Sequence, residues 1–270
     1  MGERFVLVTG AAGGLGSATV QALSGAGWTV FAADASQSVQ ASAAPRISPI
    51  VMDVTNQHSV DAAVSLVQQT TNRLAAVVNL AGIQAMGSLV EGDIVAVTQA
   101  MLDVNTMGMV RVNRAFFAML LRGRGRIVNC SSECGYMKAQ PFNGPYTMTK
   151  YAVEAYSDSL RRELLGLGMP VIKIQPGSFK TGLLADTSAS FDQLVGSTRY
   201  FGKTLQRLRP LMARELAGAN DPTQLAAVIL RAVQAKRPRA SYRVRNSRLL
   251  GLAELVPEGL FDAVYRLLMR

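Results

Sequence analysis

Short, nearly continuous apolar runs alternate with helix-patterned segments along most of this chain, and this alternation constrains its fold more than any other feature. The apolar runs predict strands at residues 5–10, 28–34, 48–54, 75–82, 125–132, 169–177 and 241–244. Helices are predicted between them at about residues 15–26, 59–72, 93–121 and 145–167. Strands that are apolar on both faces and separated by helices form a parallel sheet with helices on both sides. We therefore predict one α/β domain, a doubly wound parallel sheet of about seven strands.

Residues 182–220 interrupt the alternation after the sixth predicted strand. They mix basic and apolar side chains, and the larger apolar ones are Leu183, Leu184, Phe191, Tyr200 and Phe201. An insertion at this point lies at the carboxyl edge of the sheet, where doubly wound folds bind ligands. We predict that this insertion binds substrate and that the substrate is lipophilic. Ordinary core packing is the alternative explanation of its apolar residues.

The two cysteines and the single histidine argue against several kinds of site. The spacing of Cys130 and Cys134 is not typical of a zinc or redox motif, and no histidine lies near them in the sequence. We interpret both as reduced thiols in a reducing compartment. His58 is the only histidine, which argues against a His-based triad or metal site. We predict no metal ion.

The composition favours a soluble, cytoplasmic protein. At 270 residues and 49% apolar composition, the chain can bury a full core in one domain. Residues 4–9 resemble a strand more than the apolar core of a signal peptide, and Val6 does not fit the myristoylation pattern that begins at Gly2. The sequence contains no uninterrupted apolar run of about 18 residues, so we expect no membrane-spanning helix.

The net charge of +10 is concentrated toward the C-terminus, where residues 201–270 hold 13 Lys and Arg but 5 Asp and Glu. We interpret this excess as a solvated basic surface. An anionic membrane surface and an acidic substrate remain open, whereas nucleic acid is disfavoured because no nucleic-acid-binding module accompanies the charge. In residues 260–270, one helical face carries Leu260, Val264, Leu267 and Leu268. We expect that face to pack on the core or on another subunit, with membrane contact as the alternative.

A glycine-rich turn, TGAAGGLG at residues 9–16, follows the first predicted strand and opens the first helix. Gly10 permits a tight turn, Gly14 lets the backbone approach a pyrophosphate, and Gly16 lets helix and strand pack closely. The helix N-terminus offers unpaired N–H groups and a positive dipole to phosphates. This context predicts a dinucleotide site.

Acidic residues after the second and third strands refine that prediction. Asp34 stands twenty residues after Gly14, where a carboxylate binds both adenosine ribose hydroxyls and repels a 2′-phosphate. Ala35 follows it, and residues 11–13 are not basic, so NAD is favoured over NADP. Asp34 could instead begin a turn. Asp53, followed by Val54, could bind the adenine amino group or be an ordinary surface residue.

Tyr146 and Lys150 are four residues apart, so they share one face of the helix predicted at 145–167. A free phenol titrates near pH 10. A neighbouring ammonium favours the phenolate and lowers its pKa toward neutral pH, as acid–base catalysis requires. Ser131 and Ser132 end the fifth strand on opposite faces, so one hydroxyl can hold a carbonyl oxygen beside the phenol.

These elements occur in an order that resembles the short-chain dehydrogenase/reductase family, in its single-domain branch with a Rossmann-like NAD(P)-binding fold. The resemblance spans residues 5–181, about two thirds of the chain. The stretch at 150–181 further resembles the retinol, hydroxysteroid and 3-hydroxybutyrate dehydrogenase subgroup. The matching pieces are TGAAGGLG, Asp34, Asp53, the NLAG of residues 79–82, Asn105, Ser132, Tyr146, Lys150 and the PGSFKT of residues 176–181.

The resemblance implies a role for each matched residue. Tyr146 is the general acid/base, Lys150 lowers its pKa and binds the nicotinamide ribose, and Ser132 polarises the substrate oxygen. Asn105 holds a water in a proton relay that reaches Lys150. Further cofactor contacts are implied at Leu15, Val54, Asn79, Ala81, Gly82, Pro176, Gly177 and Thr181.

Two departures from the family pattern stand out. Leu80 replaces the second asparagine of the usual Asn-Asn-Ala-Gly, which removes a contact that stabilises the sheet rather than the reaction. Ser132 lies fourteen residues before Tyr146, where thirteen is usual. We place the extra residue in the loop 136–140, so contacts of Tyr136 or Met137 with substrate depend on the shape of that loop.

The resemblance implies an NAD-dependent oxidoreductase that transfers a hydride between nicotinamide and a secondary alcohol or ketone. We expect a steroid-, retinoid- or hydroxyacyl-like substrate and a homodimer or homotetramer, with no nucleic-acid partner. The alternative is a catalytically weak NAD-binding scaffold or redox-sensing regulator, since fold does not determine function.

Overall fold

The computed structural model describes residues 3–269, and at its centre lies one sheet of seven parallel strands. The strands follow the order β3-β2-β1-β4-β5-β6-β7, so the direction of winding reverses between β1 and β4. This confirms the predicted doubly wound, Rossmann-like α/β fold. The strands are β1 (Phe5–Thr9), β2 (Thr29–Asp34), β3 (Ile47–Val51), β4 (Ala76–Asn79), β5 (Arg126–Cys130), β6 (Val171–Pro176) and β7 (Ser241–Val244).

Helices cover both faces of the sheet. Val6 and Val8 of β1 belong to a buried cluster with Leu23 and Ile229, whereas Leu7 belongs to the cluster on the opposite face. This alternation follows from the two-residue period of a strand. The helices are α1 (Gly14–Gly25), α2 (Gln57–Gln68), α3 (Ile94–Leu102), α4 (Met109–Gly123), α5 (Gly144–Glu163), α6 (Gly182–Ser197), α7 (Gly202–Ala217), α8 (Pro222–Gln234), α9 (Arg248–Ala253) and α10 (Glu258–Met269).

Two helical regions differ from the sequence prediction. The single helix predicted at 93–121 is divided into α3 and α4 by a π-helical turn over Asp103–Gly108. Helix α8 was not predicted, although Asp221 caps its N-terminus and Pro222 occupies its first turn. Both are common signals of a helix start, so they were sufficient to identify α8 from the sequence.

The insertion after β6 forms α6 and α7, which enclose a small core of their own. Phe191, Leu194 and Leu205 are buried there, and Phe142 packs against Phe201 in an edge-to-face contact. Core packing is therefore the correct explanation for Phe191. Hydrogen bonds also connect the insertion to the segment before α3. Glu91 of that segment accepts them from residues 198–200, between α6 and α7.

Helix α10 lies near the loop that follows β5. The Lys138 amino group pairs with Glu258 at 3.0 Å, and the Tyr265 hydroxyl bonds to Gln140. Among the described residues, no helix is long and apolar enough to span a bilayer.

Candidate active site

The carboxyl ends of β1, β4, β5 and β6 bring the sequence motifs to one edge of the sheet. The Thr9 hydroxyl at the end of β1 accepts hydrogen bonds from the main-chain N–H groups of Leu80 and Ala81, both at 3.2 Å. The glycine-rich turn and the NLAG segment are therefore joined directly. Parallel strands place their loops at a common edge in this way because all of them run in the same direction.

The glycine-rich turn has no room for larger side chains. Gly10 has a φ of 68°, and a Cβ there would lie 2.7 Å from the nitrogen of Ala81. A Cβ on Gly16 would collide with the carbonyl oxygen of Gly10, and one on Gly14 would lie 2.9 Å from Thr181 Cγ2. Leu15 instead packs partly against the core.

Helix α1 begins at this turn without a side-chain cap. Gly13 is its N-cap residue and makes no side-chain hydrogen bond to the first turn. Orphan N–H groups at such a helix start suit phosphate oxygens. Together with the glycine cradle, this arrangement fits a dinucleotide cofactor.

Asp34 ends β2 beside the same turn. One carboxylate oxygen accepts from the N–H of Ala12 at 3.0 Å and the other from the N–H of Ser36 at 2.9 Å. Asp34 was predicted either to bind the adenosine ribose or to begin a turn. The two roles are compatible, because these bonds hold the carboxylate against the glycine-rich loop.

Asp53 and Val54 occupy the end of the segment after β3. The Asp53 carboxylate accepts from the N–H and hydroxyl of Thr55, both at 2.8 Å, just before α2. Val54 is buried, and a Cβ on Gly108 would lie 2.6 Å from its Cγ2. The contact of Asp53 with adenine and the cofactor contact of Val54 remain predictions.

Asn79 belongs to a buried polar network rather than to an open surface. Its side chain is 2% exposed and donates to Asn113 at 2.8 Å and to Asn129 at 3.0 Å. These bonds link β4 to α4 and β5. Asn79 thus makes hydrogen bonds that stabilise the sheet. Leu80, which replaces the second asparagine of the family pattern, packs against the apolar core. The cofactor contact predicted for Asn79 remains untested.

The two serines after β5 have different environments. Ser132 is the N-cap of a short 3₁₀ helix, Glu133–Gly135, and its hydroxyl accepts from the N–H of Cys134 at 3.2 Å. Ser131 is almost fully buried, and a Cβ on Gly135 would lie 2.6 Å from its Oγ. Of the two, Ser132 is the serine that interacts with Tyr146.

Tyr146 lies in the first turn of α5 and is nearly buried. Burial raises the pKa of its phenol above the ordinary value, and the nearby thiols of Cys134 and Cys130 add to the increase, while a hydrogen bond with Ser132 opposes it. The predicted lowering of the Tyr146 pKa is therefore wrong for the protein without a cofactor. The physical reason is that a phenolate out of contact with water loses its hydration.

Lys150 lies one turn further along α5, with its amino nitrogen 5.4 Å from the centre of the Tyr146 ring. The amino group donates to the carbonyl oxygen of Cys130 at 3.1 Å, and burial lowers the pKa of Lys150. Gly82 lies between Lys150 and Asn105, since a Cβ built on it would approach atoms of both. The predicted clustering of these residues is therefore present, whereas the net shift of the phenol pKa is upward.

Asn105 lies inside the π-helical turn and is fully buried. Its side chain accepts from the N–H of Ile83 at 2.8 Å and donates to the Ile83 carbonyl at 2.9 Å and the Thr149 hydroxyl at 3.1 Å. It therefore joins the segment after β4 to the helix of Tyr146 and Lys150. Single π turns are frequent at functional sites. The water relay remains a prediction.

The segment after β6 closes this edge of the sheet. Pro176 ends β6, the N–H of Gly177 donates to the carbonyl of Val244 at 3.0 Å, and a Cβ on Gly177 would collide with the backbone of Arg245. Thr181 is the N-cap residue of α6 and abuts Gly14. The structure thus brings the PGSFKT segment against the glycine-rich turn.

Glu133 and Cys134 are site neighbours that the sequence analysis did not identify as functional residues. The buried Glu133 carboxylate accepts from the N–H of Ser247 at 2.7 Å, and burial raises its pKa. Burial also raises the pKa of the Cys134 thiol, to about 11, beside Ser132 and Asn143. Their position directly after Ser132 was the only available sequence signal. Within residues 3–269, no group of three or more His, Cys, Asp or Glu side chains could hold a metal ion.

Comparison with known proteins gives a matching family model and several relatives. Residues 4–191 match the family model described as short chain dehydrogenase. Retinol dehydrogenase 16 of Mus musculus is 33% identical over 240 residues, which cover 81% of this chain and 75% of that protein. The 3-ketodihydrosphingosine reductase of Bacteroides thetaiotaomicron is 30% identical over 241 residues, 88% of this chain and 86% of that protein.

Solved structures have the same fold. A short-chain dehydrogenase from Streptomyces avermitilis has a TM-score of 0.77 at 25% identity, covering 99% of this chain and 95% of that chain. A 3-ketoacyl-(acyl-carrier-protein) reductase from Brucella melitensis, complexed with NADH, has a TM-score of 0.73 at 19% identity over 90% and 96% of the two chains. A short chain dehydrogenase from Burkholderia cenocepacia, in complex with NADP, has a TM-score of 0.75 at 20% identity over 99% and 98%.

Proposed function

This chain belongs to the short-chain dehydrogenase family, and from that premise we propose that it is an NAD-dependent oxidoreductase acting on a lipophilic secondary alcohol or ketone. The observation that carries the proposal is the convergence of Ser132, Tyr146, Lys150 and Asn105 at the edge of the sheet that also holds the glycine cradle. These residues come from three separate segments, and hydrogen bonds within the protein orient Asn105, Ser132 and Lys150.

The protein residues divide the proton chemistry. Tyr146 exchanges a proton with the substrate oxygen, and Ser132 donates a hydrogen bond to that oxygen and orients it. Lys150 supplies a buried positive charge close to the phenol, which favours its ionised form. The dinucleotide, when bound, accepts or supplies the hydride. The glycine cradle and the start of α1 bind the phosphates of the dinucleotide.

The Tyr146 hydroxyl is the decisive group, so its removal tests the proposal. Turnover of a panel of retinoid, steroid and long-chain secondary alcohols with NAD should fall at least about a hundredfold in Tyr146→Phe, the size expected for a lost general acid/base. The matched control is Tyr242→Phe on β7, which removes a hydroxyl that accepts from the main-chain N–H of Arg239. Equal turnover in wild type and Tyr146→Phe would contradict the proposal.

Asp34 supports NAD as the cofactor. Its carboxylate is held against the glycine-rich loop, where a 2′-phosphate would meet like charge. Fluorescence titration should therefore give tighter binding of NADH than of NADPH, and Asp34→Ala should reduce the preference. Asp61→Ala, on the exposed side of α2, is the control. Tighter NADPH binding by the wild type would contradict the assignment.

The lipophilic substrate is supported by the surroundings of Thr181. A shallow depression there is lined by Leu184, Ala185 and Leu216, among others. The names of the relatives from Mus musculus and Bacteroides thetaiotaomicron refer to retinol and to a sphingoid ketone. A preference of kcat/KM for long-chain over short-chain alcohols would agree with this class, and the reverse order would reject it.

One observation favours a second candidate function, an NAD-binding scaffold or redox-sensing regulator with weak catalysis. Burial raises the pKa of Tyr146, which disfavours the phenolate needed for alcohol oxidation. NADH binding without turnover of any alcohol or ketone would favour this candidate.

A further inference from the structure

Helix α10 packs on the protein with a different face from the one that the sequence pattern indicated. Phe261 and Tyr265 point inward, stacked edge to face at 5.1 Å between ring centres, and Tyr265 bonds to Gln140. Leu260, Val264 and Leu267 point outward, and no residue of α10 is fully buried. The expectation that the Leu260 face packs on the core is therefore wrong, and its contact with another subunit stays a prediction.

Exposed leucines also lie in the segment that precedes α10. Leu267 is 80% exposed, Leu260 is 59% exposed, and Leu255 before α10 is 82% exposed. Soluble monomers rarely expose large contiguous apolar patches, and such patches mark interaction sites. We call this the C-terminal apolar patch; its residues are Leu252, Leu255, Leu260, Val264, Leu267 and Leu268.

Helix α7, which packs against α10, adds positive charge. Positions 203, 207, 211 and 214 fall on one side of a helix, and they hold Lys203, Arg207, Leu211 and Arg214, all exposed. Residues 201–270 carry an excess of eight positive charges, and the whole chain has a net charge of +10. An apolar helix face beside basic side chains is the pattern of proteins that lie on anionic lipid.

We propose that the C-terminal apolar patch and the basic face of α7 dock on an anionic lipid bilayer. A second copy of this chain is the weaker occupant, because two basic α7 faces would be brought together and would repel each other. The docking does not depend on the proposed catalytic activity.

The position of the patch relates docking to the candidate active site. The inner side of the α9–α10 segment is bonded to the loop after Ser132: the main-chain N–H of Lys138 donates to Glu254, and its side chain pairs with Glu258. A bilayer on the outer side of α10 would therefore lie about 10 Å, one helix diameter, from that loop.

Co-sedimentation of the full chain with vesicles tests the docking. One set of vesicles is phosphatidylcholine alone, and the other contains phosphatidylglycerol as well. Wild type is expected to bind the anionic vesicles about tenfold or more tightly than the neutral ones, and to lose that preference in high salt.

Two double variants separate the apolar and electrostatic contributions. Leu260→Glu with Leu267→Glu should abolish sedimentation, and Arg207→Glu with Arg214→Glu should remove the preference for anionic vesicles. The matched control is Leu165→Glu, at an exposed leucine that precedes β6. Retained NADH binding or an unchanged thermal unfolding profile shows that each variant is folded.

Three results would overturn the proposal. The first is no vesicle binding by wild type, and the second is binding that the Leu260/Leu267 variant retains. The third is a wild type that does not bind vesicles and is an oligomer in sedimentation velocity without lipid, together with a Leu260/Leu267 variant that is no longer an oligomer. That outcome would assign the patch to a contact between subunits.

Discussion

At the scale of single residues, the environment of Tyr146 is set by opposing effects. Burial raises the pKa of the phenol, whereas the hydrogen bond with Ser132 lowers it. Lys150 is the nearest buried cation, with its amino group bonded to the Cys130 carbonyl. The effect of Lys150 on the pKa of the phenol is therefore tested separately, with a variant that lacks the charge.

Replacing Lys150 by Met should make the phenol harder to ionise. The variant keeps much of the apolar stem and removes the charge, so the acidic limb of kcat/KM for alcohol oxidation should move to higher pH by about one unit or more. The pH profile of oxidation by Lys150→Met and wild type measures this. Lys203→Met, on the exposed face of α7, is the control. Coincident profiles for Lys150→Met and wild type would show that Lys150 does not tune the phenol.

Glu133 gives a second prediction at this scale. Burial raises its pKa, so the folded state favours the protonated carboxyl. As pH rises through the raised pKa, the wild type acquires a buried charge and loses stability that Glu133→Gln keeps. Thermal unfolding from about pH 4 to pH 8 should therefore show the variant gaining stability relative to wild type. Glu163→Gln, at an exposed position, is the control, and a difference that is constant with pH would contradict the prediction.

At the scale of elements, the 3₁₀ turn after β5 is pressed against α5. A Cβ on Gly135 would lie 2.6 Å from Ser131 Oγ and 2.8 Å from the Lys150 carbonyl oxygen. This contact sets the distance between the turn that carries Ser132 and the helix that carries Tyr146. The close contact at Gly135 thus gives a steric reason for a glycine three residues after Ser132.

Gly135→Ala should separate those two elements. We expect a loss of about 1–3 kcal/mol in the free energy of unfolding, typical of overpacking, together with reduced turnover. Chemical denaturation and steady-state kinetics measure the two effects. Gly166→Ala is the control because a Cβ there meets nothing within 4 Å. Wild-type stability and turnover in Gly135→Ala would contradict the steric argument.

At the scale of the whole molecule, α5 and neighbouring segments expose apolar side chains away from the candidate site. The exposed ones include Met107 in the π-helical turn, Leu121 in α4, and Met148 and Tyr151 in α5. Met148 lies between Tyr146 and Lys150 along α5, so a contact here would stabilise the helix that carries both. The family resemblance predicts a homodimer or homotetramer through such helices.

Met148→Glu should weaken that assembly. A carboxylate in an apolar interface costs its hydration, so sedimentation velocity at micromolar concentration should show a shift toward monomer. Leu66→Glu on α2 is the control, because Leu66 is 49% exposed and Met148 is 50% exposed. A monomeric wild type would contradict the predicted oligomer.

Much of the fold and of the candidate site could be read from the sequence because both depend on local patterns. Seven strands were predicted from apolar runs, and the glycine-rich turn, Asp34, Tyr146 and Lys150 from their spacing and their positions at strand and helix ends. Such signals act within a few residues of the chain. The choice of Ser132 over Ser131 came from the family resemblance. The π-helical turn left no comparable pattern, because Asn105 is held by Ile83 and Thr149, which are 22 and 44 residues away.

The sequence by itself determined the α/β architecture, the edge of the sheet where the motifs meet and the order of those motifs. Only the tertiary structure decided the direction of the Tyr146 pKa shift, the hydrogen bond between Glu133 and Ser247, and which face of α10 points outward. The Glu133 carboxylate and the Ser247 N–H are 114 residues apart in the chain. Burial and hydrogen bonding depend on which distant segments pack together, and an amphipathic pattern does not specify which of its faces they cover.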